Sequence, residues 1–173
     1  MADNSLFDTL RDLKDRASPE RPLQIEIPGH GTTERICTWE EPARMQQIAV
    51  LRQSRGWYFP DDYEAFLLEH NGAVLFKHPY SGGGTELLSL ERMERIRHDH
   101  AYQIPPHWCP IAWTDVVIGS ICIDSEKARR GEQPYLFFLD AMNSVEEAVP
   151  IDGTFSDWLK RLAENDGREF WLK

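Results

Sequence analysis

His98-x-His100 and His107-x-Cys109 come nearest to metal-ligand spacing, since imidazole and thiolate are good zinc ligands. Structural zinc sites use tighter Cys-x-x-Cys pairs, and the intervening segment holds no matching pair. The histidines therefore read as solvated or capping side chains. Gly82-Gly83-Gly84 invites a phosphate, but no Lys-Ser/Thr follows and no helix begins there, so neither a P-loop nor a dinucleotide fingerprint is met. Ser120 lies inside an apolar strand pattern and lacks the Gly-x-Ser-x-Gly turn of a nucleophile elbow. Cys109 and Cys122 carry no local signature of a catalytic thiol. The pairs Asp61-Asp62 and Glu146-Glu147 are adjacent in sequence, whereas acid–base carboxylates need a shared pocket. These residues point to no catalytic centre, no metal and no cofactor.

Charge says more. The chain has 173 residues and a formal net charge of -10. Nucleic-acid binding relies on clustered Lys and Arg, and adsorption on an anionic membrane does too, so both are excluded as expectations. The charge is uneven: residues 1–60 hold 9 acids and 8 bases, residues 61–173 hold 20 acids and 11 bases. Two stretches, 56–76 and 131–159, contain no Lys or Arg. Their acids include Asp61, Asp62, Glu64 and Glu69 in the first, and Glu146, Glu147 and Asp152 in the second. These seven are the candidate partner-binding residues, an acidic surface that would steer and hold a basic protein. The bland alternative is a set of solvated faces.

The elements that must position them follow from periodicity. Leu6, Leu10 and Leu13 predict a helix entered through a Ser5-x-x-Asp8 capping box and ended before Pro19. Leu23–Ile27 alternates as a strand, Pro28–Gly31 turns, and a second strand runs from Glu34 to Trp39. A helix is predicted over 40–55, with Met45, Ile48 and Leu51 on one face and Gly56 as its stop. Pro60 opens the next helix, Tyr63, Phe66 and Leu67 form its buried stripe, and Asn71-Gly72 closes it because both tolerate positive φ. Strands are predicted over 73–76, 87–88, 116–124, 135–139 and 145–151, with a short helix after Ser89. Segment 98–110, broken by three prolines, reads as irregular, and 125–134 as a polar loop. A capped helix starts at Thr154-x-x-Asp157. Helices near both termini and strands between them predict a single α+β domain with a central, mostly antiparallel sheet flanked by helices. The three cysteines, odd in number and widely spaced, read as buried thiols in a reducing compartment. Met1–Asn4 carries no basic n-region, and no run of about 18 apolar residues exists, so a cytoplasmic location is expected.

The run Phe59-Pro60-Asp61-Asp62-Tyr63-Glu64-Ala65-Phe66-Leu67-Leu68-Glu69-His70-Asn71-Gly72 resembles the signature of the SUKH superfamily, whose fungal members include the Smi/Knr regulators of cell-wall assembly. Pro110-Ile111-Ala112, Gly119, Ile123-Asp124 and the closing helix from Phe155 to Leu162 resemble its later elements. Phe59 stands where leucine is usual and Ala73 where a further glycine is common. On this resemblance, residues 1–39 form an N-terminal extension, a helix plus a strand packed on or next to the domain, and residues 40–173 form the SUKH-like domain. Pro60, Tyr63, Phe66, Asn71 and Gly72 match the signature and read physically as fold determinants. The resemblance implies a non-enzymatic protein-binding module, an immunity-type protein that neutralises a toxin domain, often a basic nuclease. The alternatives are a cytosolic regulatory scaffold in signalling or cell-envelope assembly and, ranked last, a small-molecule or metal-dependent enzyme. A monomer or weak homodimer is expected.

Overall fold

Eight strands follow one another across a single sheet in their order along the chain, and every neighbouring pair is antiparallel. They are β1 (Leu23–Ile27), β2 (Gly31–Trp39), β3 (Ala73–Lys77), β4 (Thr85–Leu87), β5 (Trp108–Thr114), β6 (Gly119–Asp124), β7 (Leu136–Asp140) and β8 (Val149–Ile151). A computed structural model describes residues 4–172; Met1–Asp3, part of the segment read above for a signal peptide, lie outside the described residues. The sheet is open, and with its helices it forms one α+β domain.

Strict alternation gives the sheet two unlike ends. The odd-to-even connections are turns: 28–30, 78–84, 115–118 and 141–148. They all fall at one end, here the hairpin end. The even-to-odd connections carry helices at the other end: α2 (Met45–Arg55) and α3 (Asp61–Glu69) after β2, α4 (Leu90–Asp99) after β4, and α5 (Ser125–Arg129) after β6. α1 (Asn4–Arg16) and α6 (Phe155–Glu164) enter and leave the sheet there too.

α1 packs on α6. Leu6, Leu10 and Leu13 are each at most 3% exposed and join the same core as Phe155, Trp158 and Leu162. Each such leucine contributes roughly 1.5–3 kcal/mol by burial. A 13-residue helix is marginal alone, so this packing holds it. Arg16 fastens the join, bonding Asp166 (3.1 Å) and the Ala163 carbonyl (3.0 Å). α6 has the expected capping box: the Thr154 hydroxyl accepts from the Asp157 N–H (3.1 Å) and Asp157 accepts from the Thr154 N–H (2.9 Å).

Several expectations are corrected. α1 already contains Ser5, so Ser5 is not its cap. α2 starts at Met45, because residues 40–43 instead bond the chain near 67–72: Glu40 N–H to Gly72 O (3.1 Å), Ala43 N–H to Leu67 O (2.9 Å). Met45 is 66% exposed and does not share the buried face of Ile48 and Leu51. The segment read as irregular ends in β5, which tolerates Pro110 because the β5–β6 register shifts between Pro110 and Ala112. β6 begins only at Gly119, since Asp115–Ile118 is the turn. The polar loop contains α5, capped by Asp124, whose carboxylate accepts from the Glu126 and Lys127 N–H groups. A 3-10 turn at Val145–Glu147 precedes β8.

Candidate functional site

The signature residues cross the helix-bearing end of the sheet. The Pro60 carbonyl accepts the Glu64 N–H (3.0 Å) as α3 begins. Tyr63 lies edge-on to Phe59 (5.3 Å between centroids) and to Phe155 (5.1 Å), and Phe66 is 5.7 Å from Phe155. Burial pushes the Tyr63 phenol well above its ordinary pKa. Among the described residues its hydroxyl has no hydrogen-bond partner.

Asn71 and Gly72 work in different ways. Only Gly72 takes a positive φ, +103°, and a Cβ there would sit 2.8 Å from the Leu87 carbonyl oxygen and 2.9 Å from the Ser89 nitrogen. Asn71 is instead a three-way clip. Its N–H donates to Glu41 O (2.7 Å), its Oδ1 accepts the Leu90 N–H (2.9 Å), and its Nδ2 donates to Glu91 (3.2 Å). The corner between α3 and β3 is thereby tied to the start of α4 and to the segment before α2.

The seven candidate carboxylates do not form one face. Asp62 serves the fold: one oxygen accepts the Tyr63 N–H (2.8 Å), the other the Ser156 N–H (2.9 Å) and hydroxyl (2.8 Å), joining the starts of α3 and α6. Glu64 is paired with Arg52 (2.9 Å). Asp61 and Asp152 flank the joined helix starts, and Glu69 sits at the far end of α3. Glu146 and Glu147 lie in the turn after β7, at the opposite, hairpin end. Asp61, Glu69, Glu146, Glu147 and Asp152 are exposed, and among the described residues none is in an ion pair.

Sequence reasoning missed an acidic cleft of about 410 Å³ at the helix-bearing end, lined by Glu40, Glu41, Glu86, Glu91 and Arg92 around Asn71 and Gly72. Glu86 is held by Arg92 (2.9 and 3.1 Å), whereas Glu40 and Glu41 are exposed. The lining comes from segments far apart in the chain, so no local pattern announces it. The one available signal was the Asn-Gly signature, whose hydrogen bonds draw those segments together.

The residues weighed for chemistry are scattered. Cys37, Cys109 and Cys122 are free and buried. Burial pushes the Cys37 thiol up to about 11, Cys122 to about 12 and Cys109 well above its ordinary value, which disfavours the reactive thiolate. Cys109 packs against the Met93 sulfur (3.4 Å), away from exposed His98. Ser120 is buried beside Cys122. Gly82, Gly83 and Gly84 all have positive φ, and the Gly84 N–H donates to Asp115 (3.3 Å). Among the described residues, no three His, Cys, Asp or Glu side chains form a metal-binding group. No described helix is long and apolar enough to cross a membrane.

Comparison with known proteins adds identity. The chain is 32% identical over 133 residues to the uncharacterized protein YnaB of Bacillus subtilis (strain 168), covering 77% of this chain and 85% of that protein. It is 24% identical over 174 aligned positions to the uncharacterized protein YobM of the same strain, covering 97% of this chain and 91% of that one. The sequence profile of the SMI1 / KNR4 family (SUKH-1) matches residues 42–161, a span that runs from the acidic cleft through the signature to α6, and the chain belongs to that family.

Proposed function

We propose that this chain is a non-enzymatic, immunity-type protein that binds and neutralises a toxin domain in the cytoplasm, and that a basic, nuclease-like domain is the partner its charge suits. The observation that carries the proposal is the pattern of unpaired carboxylates. Asp61, Glu69, Glu146, Glu147 and Asp152 are exposed with no cation of their own among the described residues, on a chain of net charge -10. Such a surface speeds encounter with a basic protein and repels acidic ones. Family membership supports it, because the SUKH resemblance implies immunity roles in bacteria.

The test uses the full chain as bait in its host, at low and then high salt. The expected result is one basic protein, released as salt rises, whose growth-arresting activity is suppressed when this chain is co-expressed. Recovery of non-toxic signalling or cell-envelope proteins would replace the proposal with a regulatory scaffold.

A further inference from the structure

The structure describes eight large apolar side chains as exposed; five of them, Tyr80, Val116, Ile118, Met142 and Val149, lie in or beside the turns of the hairpin end, and a sixth, Tyr102, in the connection from α4 to β5, is brought to that end by the hydrogen bonds of its neighbour Gln103. Three stand in loops that are bonded together. The Gln103 amide donates to the carbonyls of Asp140 (2.7 Å) and Asn143 (2.5 Å), and the Ala141 N–H donates to Ile118 O (2.9 Å). These bonds hold Tyr102 (81% exposed), Ile118 (49%) and Met142 (90%) on adjoining segments. Isolated exposed apolar residues need no explanation, but apolar side chains gathered on stitched loops do. Tyrosine and methionine are enriched in the cores of protein interfaces.

The surroundings identify the occupant by charge. Residues 98–107, 115–118 and 140–148 contain no Lys or Arg, yet carry Asp99, Asp115, Asp140, Glu146 and Glu147. The cations nearest this end lie to one side of these loops: Lys77 closes β3 before the 78–84 turn, and Arg35 and Arg168 line a groove of about 1020 Å³ between the β1–β2 hairpin and residues 166–169. A second copy of this chain would bring like charge against like. We infer that the hairpin end is the docking surface, with Tyr102, Ile118 and Met142 as its apolar centre and Glu146 and Glu147 on its rim, and that its occupant is a basic protein surface. The inference rests on the proposed function and assigns that binding to one end of the sheet. The carboxylates at the helix-bearing end then contribute only to the long-range field.

The test places a photo-crosslinking residue at Tyr102 or Met142 of the full chain, and in a second set at Asp61, in the host cell. Captured protein is identified by mass spectrometry, purified and titrated against wild type, Met142→Asp and the pair Glu146→Lys with Glu147→Lys. The expected result is capture of a basic protein from 102 and 142 but not from 61. Met142→Asp then weakens binding by about tenfold or more, and the charge-reversed pair flattens its salt dependence. Thermal melting confirms that each variant is folded. Capture of a basic protein from 61 alone, or binding by both variants within about twofold of wild type, overturns the hairpin end as the docking surface and leaves the proposed function standing. Capture of a non-basic protein, or of none from either end, overturns both.

Discussion

At the helix-bearing end of the sheet, two polar side chains of the signature run, Asp62 and Asn71, are committed to the fold, while Asp61 and Glu69 of the same run stay exposed. Asp62 holds the start of α6, and Asn71 holds the start of α4 and the segment before α2. At the hairpin end the pattern is reversed. Tyr102 and Met142 are among the most exposed residues of their types, and Glu146 and Glu147 have no ion-pair partner among the described residues. The contrast separates two kinds of importance. A family signature can mark what the fold requires, while the proposed docking surface lies where turns are free to vary.

Gly72→Ala should break the helix-bearing end most severely. The added Cβ meets two backbone groups that have no rotamer to move, and alanine is strained at φ +103°. A loss of about 3 kcal/mol is expected in chemical denaturation, combining backbone strain with overpacking. A loss under about 1 kcal/mol would mean that the contact between this turn and the Leu87–Ser89 backbone relaxes easily.

Asp62→Ala against its neighbour Asp61→Ala sharpens the comparison within one helix turn. Removing the Asp62 carboxylate leaves the fully buried Ser156 N–H and hydroxyl without their acceptor, which costs about 1–3 kcal/mol. Asp61→Ala should change stability by under about 0.5 kcal/mol, as should Glu146→Lys with Glu147→Lys at the hairpin end. Urea midpoints for the three variants decide the matter. Equal losses at Asp61 and Asp62 would erase the distinction between fold-serving and free carboxylates.

These two sites also show how far the sequence could be read. Periodicity finds α1, α3, α4 and α6 because each buries one face, and Leu6, Leu10 and Leu13 or Phe155, Trp158 and Leu162 mark that face in one dimension; β1 shows as alternation, and β7, buried on both faces, as an unbroken apolar run. β5 escaped because Pro110 looks like a breaker until a bulge accommodates it. Asp62 and Asp61 are indistinguishable in sequence; Ser156, which separates them, lies 94 residues away. The acidic cleft was hidden for the same reason, since Glu41 and Glu91, far apart in the chain, are both bonded by Asn71. Net charge was legible, but its division between two ends depends on sheet topology.

The smallest expected effect is a pH response confined to the helix-bearing end. His70 follows α3, with its ring 4.9 Å from Trp39 and 6.4 Å from Phe66. Its Nδ1 lies 2.8 Å from the Glu40 carbonyl oxygen, which can only accept, so Nδ1 carries the proton. Nε2 is buried without a partner among the described residues, and a second proton there would find no acceptor. Burial is the main reason that the His70 pKa lies below 6.5; Lys14 lowers it further, while the Glu40 carbonyl, Glu69 and Glu41 oppose the shift. The unfolded chain then binds more protons than the folded one at mildly acidic pH. Stability from His70 is therefore fully present above about pH 6.5 and is lost as pH falls toward the depressed folded value. His70→Gln, which keeps a donor but cannot titrate, should remove this component. Urea midpoints at about pH 7.5 and 5.5 should fall further for wild type than for His70→Gln. Because the ring is only partly buried, the difference should be smaller than the Asp62 effect. An equal fall in both proteins would assign the acid response to carboxylates elsewhere and leave the helix-bearing end insensitive to pH.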